Sequence, residues 1–192
     1  AKDAATLMEI FPQQKVELER QGNWETYLRQ KKLIPPLVYA ANTGIKMDLE
    51  KMHEIKDICK REISSTLKEW QDLAGEDVNP DSPQQVMGFL YLKLGNKPYL
   101  SKEGELTCDE KALKRLIQKG VKAAEVLLRY RGLTKMYGTY FEMIFDEDGR
   151  FRCSYNPVGT SQGRISSSKN IFGTGGSGQT MPAEMRELMM AD

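Results

Sequence analysis

The chain has 192 residues, 40% of them apolar and 29% charged, an ordinary composition for a folded protein with room for one large core or two small ones. Lys and Arg number 28 against 27 Asp and Glu, a net charge of +1, so no global field draws the chain to nucleic acid or membrane and any such site must be local. Three scattered cysteines and one histidine, with no C-x-x-C pair, exclude a zinc site and a disulfide framework and fit a reducing compartment; the lack of an apolar run of about 18 residues argues against a membrane span or a secretory leader.

From Asp3 to about Gln21, the positions Ala4, Leu7, Met8, Phe11, Val16 and Leu18 predict a helix interrupted near Pro12. After Gly22, the stretch WETYLRQKKLIPPLVYAANTG predicts two helices, the second started by Pro35 and Pro36 and ended by Gly44 as a C-cap. Asp48 opens the clearest helix, in which Met52, Ile55, Cys59, Ile63, Thr66, Trp70 and Leu73 recur at threes and fours and so bury one side. The breaker-rich loop GEDVNPDSPQQ follows, with Ser82 placed to N-cap a short helix that has Pro83 at its first position. A second long helix is predicted from about Asp109 to about Phe145, with Gly120 as a candidate break and Val121, Ala124, Leu128, Met136, Tyr140, Met143 and Ile144 as its apolar stripe. Two long helices of this kind should pack antiparallel. At Asp146 the pattern changes: an Asp-Gly turn, short strands at FRCSYNP and GRISS, a glycine-rich loop, and a short helix in PAEMRELMMA with Pro182 at its start. The expected fold is α+β, mainly α: a long antiparallel helix pair followed by short antiparallel strands.

Three constellations carry chemistry. Between Lys111 and Lys135 stand Lys111, Lys114, Arg115, Lys119, Lys122, Arg129, Arg131 and Lys135 against the single acid Glu125. Such a ridge is either a solvated face or a track for phosphates. Arg131, Lys135 and Thr139, spaced at i, i+4 and i+8, tilt it toward the second. TSQGRISSS, residues 160 to 168, surrounds Arg164 with Thr160, Ser161, Gln162, Ser166, Ser167 and Ser168, hydrogen-bonding groups suited to groove and phosphate contacts. GTGGSGQT, residues 173 to 180, matches the spacing of a phosphate-binding P-loop but has Gln179 where that loop needs Lys. It also lacks the buried strand before it and a helix starting at the loop, so nucleotide hydrolysis is not expected.

Taken together these stretches resemble the family A DNA polymerases. LIPPLVYAANTGIKMD is similar to the segment leading from the proofreading domain into the thumb. VNPDSPQQV is similar to N-x-x-S-P-x-Q-L, and LRYRGLTKMYGTY to the thumb helix ending in Y-R-x-L-x-K-L-x-x-T-Y. GTSQGRISSSKNIFGTGGSGQTMP looks like the phage-type version of T-x-T-G-R-L-S-S-x-x-P-N-L-Q-N-I-P. Departures are Gln162 for the second Thr, and Ser177, Gly178, Thr180 and Met181 for the usual Asn, Leu, Asn and Ile.

The resemblance implies roles. Arg131, Lys135, Thr139 and Tyr140 match thumb-base positions that hold the duplex backbone. Arg164, with Thr160, Ser166 and Ser167 around it, matches the minor-groove contact near the primer terminus, and Gln179 matches the Gln of L-Q-N, with Thr180 beside it. It implies residues 1–34 as the end of a 3′–5′ exonuclease-like domain and linker, 35–145 as a helical thumb, and 146–192 as the first part of the palm. Asp3, in AKDAA, is a weak match to an exonuclease metal ligand, and Asp192 to the surface turn before the first catalytic strand. No catalytic or metal residue is expected within the chain. Magnesium and deoxynucleotides belong to the complete enzyme, together with the rest of the polymerase, its fingers and palm. The expected partner is primer–template DNA, not a membrane, in the cytoplasm of a bacterial cell or phage-infected host. The chain opens AKDAATL and stops at MMAD, so a fragment or one piece of a split enzyme is expected, inactive alone. The rival reading is a helical protein-interaction module with a solvated basic face.

Overall fold

The computed structural model describes residues 2–191, and of residues 2–4 the backbone alone. The fold is α+β and mainly helical, in two compact units: residues 49–143, and residues 1–48 with 144–192.

The first unit is built on α3 (Leu49–Ala74) and α6 (Lys122–Met136). Lys56 Nζ donates to Phe141 O, Cys59 Sγ to Leu133 O, and Arg129 pairs with Glu69. Numbers rise along one helix as they fall along the other, so the pair is antiparallel. On α3 the buried positions are Met52, Cys59, Thr66, Trp70 and Ala74; Leu73, expected on the same stripe, is 42% exposed. The stripe steps by seven and then by four, and 73 falls off that line.

Ser82 and Pro83 start α4 (Pro83–Met87) as expected, with Ser82 Oγ accepting from Gln85 N–H, and a π-helical turn at Gly88–Lys93 continues it. The second long helix breaks at the candidate glycine: α5 (Glu110–Gln118) is capped by Asp109, Gly120 takes φ +80°, and α6 begins at Lys122. A π turn, Tyr137–Phe141, ends α6. Trp70, Val86, Leu90, Leu113, Val126 and Leu127 form the centre of the core, all under 2% exposed. Trp70 sets its ring edge-on to Phe89 and donates its indole N–H to Val78 O at 2.8 Å, satisfying its one polar atom while the rest of the ring is dry.

The second unit opens with α1 (Lys2–Arg20) and α2 (Trp24–Thr43). Both run through their prolines, where the sequence led us to expect an interruption near Pro12 and a fresh start at Pro35. Among the described residues neither helix buries a side chain, so no packed neighbour opposes the local adjustment that a lost N–H bond and a proline ring demand. Gly44 caps α2 with φ +66°. A Cβ there would sit 2.8 Å from Phe151 O, so the chain at Phe151 passes directly over the cap.

The residues after the cap form β1 (Ile45–Met47), the centre of an antiparallel sheet between β2 (Arg150–Phe151) and β5 (Met189–Met190). β5 lies where the sequence predicted continued helix: α7 covers only Ala183–Arg186, and Leu188, fully buried, is the point where the chain turns into the sheet. β3 (Ser154–Asn156) and β4 (Ser166–Ser168) form a separate antiparallel pair. Met47, Phe151, Cys153, Met181, Met185 and Leu188 are the buried side chains of this unit.

Candidate nucleic-acid interface

The basic ridge of the helical unit is less uniform than its sequence. Lys114 pairs with Glu110 at 2.6 Å, Lys122 with Glu125 at 3.3 Å, Arg129 with Glu69, and Arg115 lies over the Tyr99 ring at 4.3 Å. Lys111, Lys119 and Lys135 are exposed. Among the described residues the Lys135 ammonium has no hydrogen bond or ion pair; it acts only at a distance, helping Lys114 hold the Glu110 carboxyl below its ordinary range.

Arg131 behaves differently. Its guanidinium turns inward, Nη1 donating to Cys108 O at 2.7 Å and Nη2 to Pro80 O at 3.5 Å, while neighbouring Tyr130 donates its hydroxyl to Asp81 at 3.2 Å. One turn of α6 therefore holds both the loop before α4 and the entry to α5. Hydrogen bonds from a charged donor contribute about 1.5–3 kcal/mol. Arg131→Ala should accordingly lower the unfolding free energy of this unit by about 2 kcal/mol, read as a lower denaturant midpoint at unchanged slope, whereas Lys135→Ala should leave the midpoint in place. Thr139 is exposed and Tyr140 half-buried, both on the π turn rather than on α6. A π turn holds more residues than an α turn, so the row through Arg131 and Lys135 does not continue in register to Thr139.

In the strand unit, Thr160 and Arg164 close a turn on each other. Thr160 Oγ1 accepts from Arg164 N–H at 2.8 Å and donates to Arg164 O at 2.9 Å, while Gly163 at φ +72° returns its N–H to Thr160 O. The backbone of Arg164 is thus fixed, and its side chain is exposed. Among the described residues its guanidinium has no partner. Ser166 and Ser167 are half-buried on β4. Ser166 packs against Gly159, where a Cβ would stand 2.0 Å from its Oγ. Ser167 Oγ lies 3.5 Å from Ser177 Oγ. Gln179 donates its amide to Ile165 O, and Thr180 donates its hydroxyl to Ser177 O at 3.2 Å. Both are exposed.

The glycine-rich segment is a support. Gly175 is buried at φ +70°, its N–H on Ile144 O at 2.8 Å. Thr174 passes its hydroxyl to Asp146 at 2.6 Å, and Arg152 bridges Asp146 and Asp148 with 2.8 Å and 2.6 Å bonds. The Thr174 hydroxyl, then Arg152, holds Asp146 below the carboxylate range, and Arg152 brings Asp148 down to about 2. A carboxyl whose folded pKa lies below its unfolded value of about 3.9 stabilises above that value and loses the contribution as pH falls through the folded pKa. A carbon-detected titration should place the Asp148 midpoint near 2, and Arg152→Gln should return it toward about 3.9.

Sequence reasoning passed over the residues that hold this region in shape: Gly159, Asn170, Thr174 and Asp146. Asn170 was legible, since an Asn three residues before a Gly is a turn signal. The run from Gly149 to Ala183 contains no Asp or Glu, while it carries Arg150, Arg152, Arg164 and Lys169. The Asp3 side chain and Asp192 lie outside the described residues. Among the described residues no three His, Cys, Asp or Glu side chains converge on a metal position, and no helix is long and apolar enough to cross a membrane.

Comparisons with known proteins converge on one group. The family model for DNA polymerase family A matches residues 49–191. The chain is 32% identical over 127 residues to DNA polymerase I of Helicobacter pylori, covering 65% of this chain and 14% of that protein. It is 32% identical over 146 residues to DNA polymerase I of Pseudomonas aeruginosa (71% and 15%) and 27% identical over 175 residues to that of Treponema pallidum (87% and 17%). It therefore spans under a fifth of the length of these relatives. In fold it is similar to the POL domain of Pol1 from M. smegmatis, solved in complex with DNA primer-template and dNTP, with a TM-score of 0.78 over 93% of this chain and 32% of that one at 22% identity.

Proposed function

This chain belongs to DNA polymerase family A, and from that membership we propose that it is the part of a DNA-directed DNA polymerase that grips primer–template duplex during template-directed nucleotide addition. Residues 35–145 act as the thumb and 146–192 as the first part of the palm, with 1–34 closing an exonuclease-like domain and its linker.

The observation that carries the reading is Arg164: its main chain is clamped on both sides by Thr160 while its guanidinium stands in solvent. A cation fixed in this way suits the minor groove, where acceptors recur at every base pair, so that a guanidinium can contact a correct pair without reading which pair it is. Ser166, Ser167, Gln179 and Thr180 flank it with hydroxyls and an amide for sugar and phosphate oxygens. In the helical unit Lys135, with Thr139 and Tyr140 after it, meets the backbone phosphates, and Arg131 serves the same grip by holding the loops beneath it.

Phosphoryl transfer by the complete enzyme would draw on a divalent ion, magnesium in this reading, for charge stabilisation around the primer hydroxyl and the leaving phosphate. The residues described here do not fit that group: no donor cluster forms, and Asp146 and Asp148 are engaged by Arg152.

Equilibrium binding of this chain to a short primer–template duplex across a salt series tests the proposal. A dissociation constant rising steeply with salt is expected, through counterion release; no binding even at low salt would refute it. Incubated with primer–template, deoxynucleotides and magnesium, the chain should extend no primer, and any extension would show that the chemistry resides here after all.

A further inference from the structure

Between β4 and Thr180 the chain runs out and returns along itself. Its limbs are tied at three levels: Gln179 Nε2 to Ile165 O, Ser167 Oγ to Ser177 Oγ at 3.5 Å, and Asn170 to Thr174 through both a 2.6 Å side-chain bond and a 3.1 Å main-chain bond. Each pair is centred on residue 172, so the segment is a short finger, pinned to the unit at Thr174 and Gly175, whose exposed tip is Ile171, Phe172 and Gly173.

The finger is stiff. Asn170 Oδ1 accepts from the N–H groups of Phe172 and Thr174 at 3.0 and 3.1 Å, and Gly173 closes the turn at φ +81° with its N–H on Asn170 O. Turns are normally polar, yet this tip carries an isoleucine 88% exposed and a phenylalanine 82% exposed. Neither adds to the core, so folding gives no reason for them. The flanking cations Arg164 and Lys169, in a run without a single carboxylate, complement a polyanion.

We propose that Ile171 and Phe172 are an apolar wedge that enters the minor groove and partly unstacks one base step of the bound duplex. The proposal rests on the reading that the stem of this finger, Arg164 to Ser167 with Gln179, lies on that groove. Apolar side chains inserted at base steps from the minor groove unstack them and widen the surface the protein covers, and a pre-formed turn presents them at little further ordering cost.

Duplexes carrying 2-aminopurine at successive positions, mixed with the wild-type chain and with the double variant Ile171→Ser, Phe172→Ser, read the wedge directly. Both side chains face solvent, so the variant should melt as the wild type does. Expected are a rise in 2-aminopurine emission at one or two adjacent positions with the wild type, its loss in the variant, and an affinity about tenfold lower in the variant with the same salt slope, because no cation is removed. If the variant binds and brightens the probe as the wild type does, or loses affinity while no probe responds in either protein, the wedge is wrong and the duplex-holding reading stands. If the wild-type chain fails to bind duplex at low salt, both fall.

Discussion

Gly175→Ala should unfold the strand unit, while Gly163→Ala, twelve residues earlier and at nearly the same φ, should be tolerated. Both glycines adopt the left-handed region, +70° and +72°, where a side chain costs about 1–2 kcal/mol on backbone sterics alone. Nothing lies within 4 Å of a Cβ at Gly163, but a Cβ at Gly175 would stand 1.6 Å from Arg152 O. That carbonyl cannot yield cheaply. It lies between Phe151 and Cys153, each 2% exposed, and the Arg152 side chain is held by Asp146, Asp148 and Asn42 O. Relief requires prising the glycine segment off Ile144 and Arg152 together. The cost exceeds about 4 kcal/mol, the range reserved for severe strain or lost packing, or a fall in melting temperature of about 15 °C or more for a unit of this size. Calorimetry on both variants measures the difference. Equal, small shifts would mean that the segment moves freely and the finger has no rigid base.

The parts of this fold legible from sequence are those with a long period. On α3, Met52, Cys59, Thr66 and Trp70 announce a buried stripe because 26 residues give the pattern room to repeat. Gly120 announces the break between α5 and α6 because a left-handed residue stops a helix whatever surrounds it. Strands of two and three residues have no period to show: β1 and β5 exist through their pairing across Lys46 and Met190, a contact between positions far apart in the chain. Pro35 and Pro36 misled for a related reason. Whether a local breaker signal ends a helix depends on how tightly its surroundings hold it, and exposure is a tertiary fact.

The candidate site divides in the same way. TSQGRISSS is readable as a structure because its contacts are local: Thr160 closes on Arg164 only four residues away. The inward turn of Arg131 was not readable. Its spacing from Lys135 puts both on one face of α6, but the carbonyls it meets belong to Cys108 and Pro80, 23 and 51 residues distant. Identical charges at i and i+4 thus have unlike surroundings, one facing solvent and one tying loops together.

Arg164→Ala and Lys135→Ala should both weaken duplex binding, and the way each responds to salt separates groove from backbone. A lysine on a phosphate acts as a point charge that displaces a condensed counterion, so its removal should reduce the magnitude of the salt slope by about one and lower affinity evenly across sequences. An arginine on groove acceptors adds directional bonds at a fixed depth. Its removal should cost about 1–3 kcal/mol, up to roughly a hundredfold in affinity, with a penalty that grows for primer termini whose paired edges are undisturbed, because a mismatched pair has already displaced those acceptors. The decisive comparison is Arg164→Lys, which keeps the charge and loses the planar fork. If it binds like the wild type on matched termini, Arg164 is one more electrostatic contact. If it behaves as Arg164→Ala does on matched termini while keeping the wild-type salt slope, the clamped turn at Thr160 exists to aim a guanidinium, and the strand unit is the part of this chain that senses the geometry of the primer end.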